Sequence, residues 1–328
     1  MWLSPSMILM CLSILTSIFL VLSSPSFLVS WVGLELNTMV FLPMMLMEKT
    51  KMSSEASIKY FLTQTLASIL IICGAIFFLL QLSHLGTVFI LFGLFIKLGA
   101  APFHSWILSI AECVGWGVLF ILLTVQKINP LIMMWVYLGD TWGLVECVII
   151  LSLLVGGAMG LAQTSSRLLI SFSSINHVGW MLAALSLNMW LGVCYFSIYL
   201  FILMPVILIL STFNISHINE FFLVDFPILK QLVLFLSFLS LGGLPPFLGF
   251  LPKWLVLQSV LGGGFLLISL AMVLTSLFTL FFYLRMTFSA FIMGGVKLSS
   301  KNSFKPLSNL SLIFFTVSLA GLPLFLFV

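Results

Sequence analysis

The chain has 328 residues, 62% hydrophobic and only 6% charged, with a mean hydropathy of +1.32. Soluble domains carry about 25% charged residues, so this composition excludes a water-soluble globular protein. A net charge of +4 without a basic run gives no pointer to nucleic acid, and five singly scattered cysteines read as apolar packing residues rather than as disulfides or metal ligands.

A crossing takes about 20 apolar residues. On that template the spans fall, in order, at 5–23, 26–46, 57–81, 84–112, 117–138, 143–163, 168–187, 190–213, 230–260, 264–288 and 306–327, an all-α polytopic membrane protein of about eleven helices. Residues 1–23 lack a basic lead and a cleavage site, and so read as a retained helix rather than a signal peptide. The fourth and ninth spans are too long for one straight crossing and contain Gly and Pro. They read as discontinuous helices, broken near Gly99–Pro102 and near Gly242–Pro252. The connections leave no room for a soluble domain; the longest are 214–229 and 294–305. No glycine-rich nucleotide loop is present.

With eleven spans, Lys49, Lys51, Lys59, Arg167, Lys230, Arg285, Lys297, Lys301 and Lys305 all fall on the side of the N-terminus, while the other side carries Asp140 and Glu146. The positive-inside rule places the N-terminal side in the compartment of synthesis.

Three lysines, Lys97, Lys127 and Lys253, lie at membrane depth close to Pro102, Pro130 and Pro252. A cation in hydrocarbon is expensive and marks a functional site by default. The prolines are expected to free the carbonyls of Leu98, Gln126 and Leu248. Burial destabilises a lysine's charged form, so such a group can take up or release a proton as a neighbouring charge arrives or leaves. Snorkelling to the interface suits Lys59 at a helix start but not mid-span Lys127. Glu35 sits in the middle of the second span, where an unpaired carboxylate would be protonated and a lysine partner would restore its charge. The alternative is a neutral glutamic acid used for helix packing. His177 lies in a polar patch, four residues after Ser173 on the same helix face, and is a candidate relay, although a lone buried histidine is most often a packing residue. His104 is a weaker candidate, His84 and His217 read as boundary or loop residues, and Glu112 reads as a solvated helix end.

Several segments resemble chain 2 of the mitochondrial NADH:ubiquinone oxidoreductase (respiratory complex I) family. They are Ser54–Gln64 (SEASIKYFLTQ), Lys97–Trp106 (KLGAAPFHSW), Gln126–Pro130 (QKINP), Ser173–Trp180 (SSINHVGW) and Leu241–Trp254 (LGGLPPFLGFLPKW). The resemblance implies an antiporter-like, proton-translocating subunit of two inverted five-helix repeats, 1–138 and 143–288, and a final helix at 306–328. It implies that Glu35 is the membrane glutamate, Lys97 its partner on the first broken helix, Lys127 the connecting lysine and Lys253 the lysine of the second broken helix. It implies the short animal form, starting where the fourth helix of bacterial relatives would. The expected location is the mitochondrial inner membrane, with the N-terminus in the matrix and the C-terminus in the intermembrane space. Partners would be other membrane-arm subunits and inner-membrane phospholipids. No cofactor is expected in this chain; NADH, FMN, iron–sulfur clusters and ubiquinone would belong to other subunits. The competing classes are a stand-alone cation/proton antiporter, which would show sodium or potassium dependence, and a purely structural membrane subunit.

Overall fold

A computed structural model describes residues 5–47, 49–138, 141–222 and 228–292. The expected final span at 306–327, the polar stretch 294–305 and Asp140 lie outside the described residues. Two compact units, Met1–Val148 and Ile149–Val328, divide inside one helix. Among the described residues there is no strand beyond an isolated bridge between Ser165 and His217.

The first unit runs α1 (Pro5–Ser23), α2 (Phe27–Leu46), α3 (Lys51–Leu79), α4 (Ser83–Leu98), α5 (Ser105–Cys113), α6 (Trp116–Leu123) and α7 (Val125–Tyr137). Helix α8 (Trp142–Ala162) carries the division. The second unit continues with α9 (Ser166–Leu187), α10 (Met189–Phe213), a 3-10 turn (Ile218–Phe222), α11 (Ile228–Gly242), α12 (Phe250–Gly262) and α13 (Leu266–Ile292). Among the described residues, eight helices or helix pairs are long and apolar enough to cross a membrane, and Ser83–Leu98 and Lys230–Gly242 are shorter apolar helices.

Helix α3 starts six residues before the expected position 57. Counting apolar residues missed its cap: the Ser53 amide donates to the Thr50 hydroxyl at 3.1 Å, and the Thr50 amide donates to the Ser53 hydroxyl at 3.2 Å. This capping box satisfies backbone donors that a polar start would otherwise leave open. The α3–α4 pair is drawn close by small residues. A Cβ on Gly74 would come within 2.7 Å of the Gly86 carbonyl, and one on Gly93 within 2.7 Å of the Ala67 carbonyl. Without a hydrophobic drive inside lipid, such close backbone approach is a main source of helix association.

Both expected interruptions are present, after α4 and after α11. A third was not expected. The fifth span breaks at Thr124 (φ −121°, ψ −79°), between α6 and α7. Its hydroxyl donates to the Phe120 carbonyl at 2.5 Å, the acceptor its own amide would use in an α-helix, while that amide turns to Ile121 at 3.4 Å. A side chain competing for the carbonyl four residues back bends a helix, and Pro130 follows in α7. The second break also ends sooner than expected: residues 243–249 are non-helical, whereas Pro252 lies inside α12. A proline is tolerated in a first helical turn because its missing N–H has no helical acceptor there.

Helix α9 is the buried element of the second unit, with 94% of its most apolar window covered, against 22% for α1 and 28% for α3. Its polar run Ser171, Ser173, Ser174, Asn176 and His177 is accordingly buried. Lipid cannot satisfy such groups, so the helix that carries them goes to the interior. Helices α9 and α10 are joined by one residue, Asn188. Its amide donates to the Ala184 carbonyl at 2.9 Å, closing α9, and its side-chain oxygen accepts from the Trp190 amide at 3.1 Å, opening α10.

Candidate functional site

Lys97 stands on the last turn of α4, and Gly99 (φ 64°) ends that helix. The Ala100 amide donates to the Phe95 carbonyl at 3.1 Å and the Gly99 amide to Ile96 at 3.0 Å, a Schellman closure that wants glycine at the left-handed position. The indole N–H of Trp106 also reaches the Ile96 carbonyl, at 3.0 Å. At this helix end the Lys97 ammonium donates to Oε1 of Glu35 on α2 at 3.1 Å, with the lysine side chain 2% and the glutamate side chain 20% exposed.

Around the pair lies a polar network that sequence reading did not assign. The Tyr60 hydroxyl donates to Oε1 of Gln126 at 3.2 Å, and Nε2 of Gln126 donates to Oδ1 of Asn37 at 3.2 Å. One turn along α7, the Asn129 amide nitrogen donates to the Ser17 hydroxyl at 3.3 Å. Asn37, Tyr60, Gln64, Lys97, Gln126 and Pro130 help line a cavity of about 10 Å³, roughly the room one water needs. The available signal was a set of amides and a phenol within apolar spans, two of them flanking a lysine. Lys127 itself is 2% exposed and sits one turn before Pro130, in the segment re-aimed by the Thr124 break.

In the second unit Lys253 comes from α12 and reaches back to the end of α11. Gly243 (φ 82°) closes α11 as Gly99 closes α4: the Leu244 amide donates to Leu239 at 3.3 Å and the Gly243 amide to Ser240 at 3.1 Å. That closure leaves the last two carbonyls of α11, and the Lys253 ammonium donates to both, Gly242 at 2.9 Å and Leu241 at 3.1 Å. Pro252 does not free the Leu248 carbonyl from a helix as expected, because Leu248 precedes the start of α12; the open carbonyls here are those at the end of α11. The Trp180 ring on α9 lies 5.8 Å from the ammonium. His177, one turn earlier on α9, pairs through Nδ1 with the Tyr195 hydroxyl at 2.8 Å. His177, Tyr195, Tyr199, Ser240, Leu241 and Pro252 help line a second cavity of about 10 Å³.

The geometry thus brings Glu35 and Lys97 together in the first unit and sets Lys253 and His177 around the α11 break in the second. His84, His217 and Glu112 are exposed. Lys59 pairs with Glu55 at 2.6 Å on an exposed face of α3. Arg167 starts α9, and Arg285 donates to the Leu161 carbonyl at 2.8 Å and to that of Gln163, so these two cations share one end of the second unit. At that end Glu220 accepts from the Ser216 amide and hydroxyl, each at 2.6 Å. Partial burial raises its pKa, but the hydrogen bonds from Ser216 and His217 outweigh this and leave it below the usual carboxylate value. Among the described residues no group of His, Cys, Asp and Glu could hold a metal ion.

A bundle of membrane helices broken at left-handed glycines, with buried lysines at the breaks, is an antiporter-like architecture. The chain belongs to the NADH:quinone oxidoreductase/Mrp antiporter transmembrane family, whose pattern matches residues 24–279. It is 41% identical to NADH-ubiquinone oxidoreductase chain 2 of Anopheles gambiae, over 92% of this chain and 91% of that one. Among solved structures, a chain of respiratory complex I from Thermus thermophilus with bound aureothin superposes with a TM-score of 0.87 at 23% identity, covering 97% of this chain and 78% of that one. A chain of the Mrp complex from Dietzia sp. DQ12-45-1b gives 0.84 at 16% identity, covering 97% and 75%.

Proposed function

We propose that this chain is the proton-translocating, antiporter-like chain 2 subunit of an NADH:ubiquinone oxidoreductase in the mitochondrial inner membrane. Protons would move along Glu35, Lys97, Lys127 and Lys253, with His177 as a relay, while NADH, FMN, iron–sulfur clusters and ubiquinone are handled by other subunits. The finer layout proposed with it is eleven spans, two inverted repeats of five and a final helix, with the N-terminus in the matrix and the C-terminus in the intermembrane space. Other membrane-arm subunits and phospholipids would surround it.

The observation that carries this reading is the Glu35–Lys97 pair, 3.1 Å apart at a helix break. Opposite charges attract by about 4 kcal/mol at 4 Å for an effective dielectric of 20, before desolvation is subtracted. While the pair is closed, the carboxylate holds the lysine proton. When it opens, the ammonium in its buried setting is poised to pass the proton to a neighbouring polar group. The test is proton translocation per NADH oxidised by the intact complex in vesicles. Glu35→Gln and Lys97→Met should each depress it, and the double substitution should cost less than the sum of the two. Additive losses would show that the two side chains do not act as a unit.

The family's breadth supports a second reading, a cation/proton antiporter working without redox partners. Translocation that required sodium or potassium and proceeded without NADH would favour it.

A further inference from the structure

If Lys253 carries protons, as proposed above, its ammonium must be held in place while it is charged. Among the described residues no carboxylate lies within ion-pair distance of it. The titratable groups on the packed elements are His177 from α9, Tyr195 and Tyr199 from α10, and Tyr283 from α13, none of which is an anion at neutral pH.

We propose that Trp180, together with the Leu241 and Gly242 carbonyls, forms a cradle for an ammonium ion, and that Trp180 is the residue that positions the proton-bearing head of Lys253. Three observations converge on this. The two carbonyls are the ones that the Schellman closure of α11 leaves open, at the negative end of a helix. The indole is 1% exposed and its face lies 5.8 Å from the ammonium, within the range where a tryptophan attracts a cation. A Cβ on Gly243 would come within 2.8 Å of the lysine Cδ and 3.1 Å of its Nζ, so the position next to the cradle is cleared as well as left-handed.

Such a cradle favours the charged form, because a neutral amine keeps weaker N–H bonds to the carbonyls and no charge for the ring or the helix end to attract. The indole face and the helix end hold the ammonium more tightly than the neutral amine, so losing the proton loosens the head. The loosened head then has the adjoining cavity that Leu241 shares with His177 and Tyr195 to turn toward. Proton occupancy and side-chain position become one variable.

The experiment is charge translocation per NADH, measured against pH, for the intact complex in vesicles carrying Trp180→Leu, Trp180→Phe or Lys253→Ala. With Trp180→Leu the alkaline limb of the profile should move to lower pH by about one unit, a tenfold change in proton occupancy. With Trp180→Phe, which keeps a ring and a weaker face, it should move less. An unchanged limb in Trp180→Leu overturns the cradle, and so does an equal loss at every pH in both tryptophan variants, which would mark Trp180 as packing only. Undiminished translocation in Lys253→Ala would instead remove the proton-carrying role on which the cradle rests.

Discussion

Helices α4 and α11 end in the same way and hold their lysines in opposite ways. Each stops at a left-handed glycine, Gly99 or Gly243, under a Schellman closure. At α4 the lysine precedes the glycine by two residues, points off its own helix and meets a carboxylate from α2. At α11 the lysine follows by ten, on the far side of the break, and folds back onto the carbonyls that the closure leaves open. A full charge can be removed by protonation or by moving one helix; backbone dipoles and an indole face are permanent. On the proton-carrying role proposed above, the first site would be the one that switches and the second the one that returns to the same resting state.

The largest expected effect tests the carboxylate. Glu35→Gln leaves an ammonium that is 2% exposed without its counter-charge, whereas Lys97→Met leaves a carboxylate that is 20% exposed and closer to solvation. Breaking a buried pair costs about 3–5 kcal/mol. Glu35→Gln should approach the lower end of that range and destabilise the assembled complex more than Lys97→Met, as read from thermal unfolding. Equal losses would mean that burial differs less between the two sides than the exposures indicate.

Next come the glycines. Alanine in the left-handed region costs about 1–2 kcal/mol at either position. At Gly99 its Cβ would also lie 1.9 Å from Cδ1 of Ile107, whereas at Gly243 it meets a flexible lysine. Gly99→Ala should lower the unfolding temperature more, and Gly243→Ala should impair charge translocation more for the stability it loses. The reverse order would show that the second break is the stiffer one.

A smaller effect belongs to the network beside the first lysine. Tyr60→Phe removes the hydroxyl that bonds Gln126 and should cost about 1 kcal/mol. If the first site depends on a fixed water and amide network, translocation should fall along with stability.

The smallest effect is at Glu220, a hydrogen-bonded carboxylate outside the spans and a reference for Glu35. Its folded-state pKa is depressed. Its contribution is therefore present above the unfolded carboxylate value and lost as pH falls through the folded one. The difference in unfolding temperature between the natural chain and Glu220→Gln should be small at neutral pH, start to shrink as pH falls through the unfolded glutamate value of about 4.3, and vanish only below the folded-state pKa.

Much of this arrangement could be read from the chain. Apolar length located the described spans, and glycine with proline in over-long spans located both paired breaks. A glutamate among lysines at similar depth pointed to an ion pair, and the family resemblance named Lys97 as the partner the fold supplies. What stayed hidden depended on local hydrogen bonding or on the third dimension. Thr124 interrupts a span of ordinary length through a hydroxyl–carbonyl bond that no apolar count registers. Lys253 meets Leu241 and Gly242 because the chain doubles back, a contact that a rule tied to its neighbouring proline has no means to locate. Trp180 and Tyr195 drew no assigned role until α9 and α10 set them beside a lysine and a histidine.

The single-residue link at Asn188 bears on how the chain enters the bilayer. Helix α9 has a peak hydropathy of 1.5 and carries serines, an asparagine and a histidine, whereas α10 reaches 2.6. Alone, α9 is a poor guest for hydrocarbon, and polar groups near its centre make each attempt costly. Because one doubly capping residue joins it to α10, the two helices are expected to insert as a hairpin, with the more apolar arm offsetting the cost of the polar one. The segment that bears His177 and Trp180 would thus be delivered into the membrane with its neighbour.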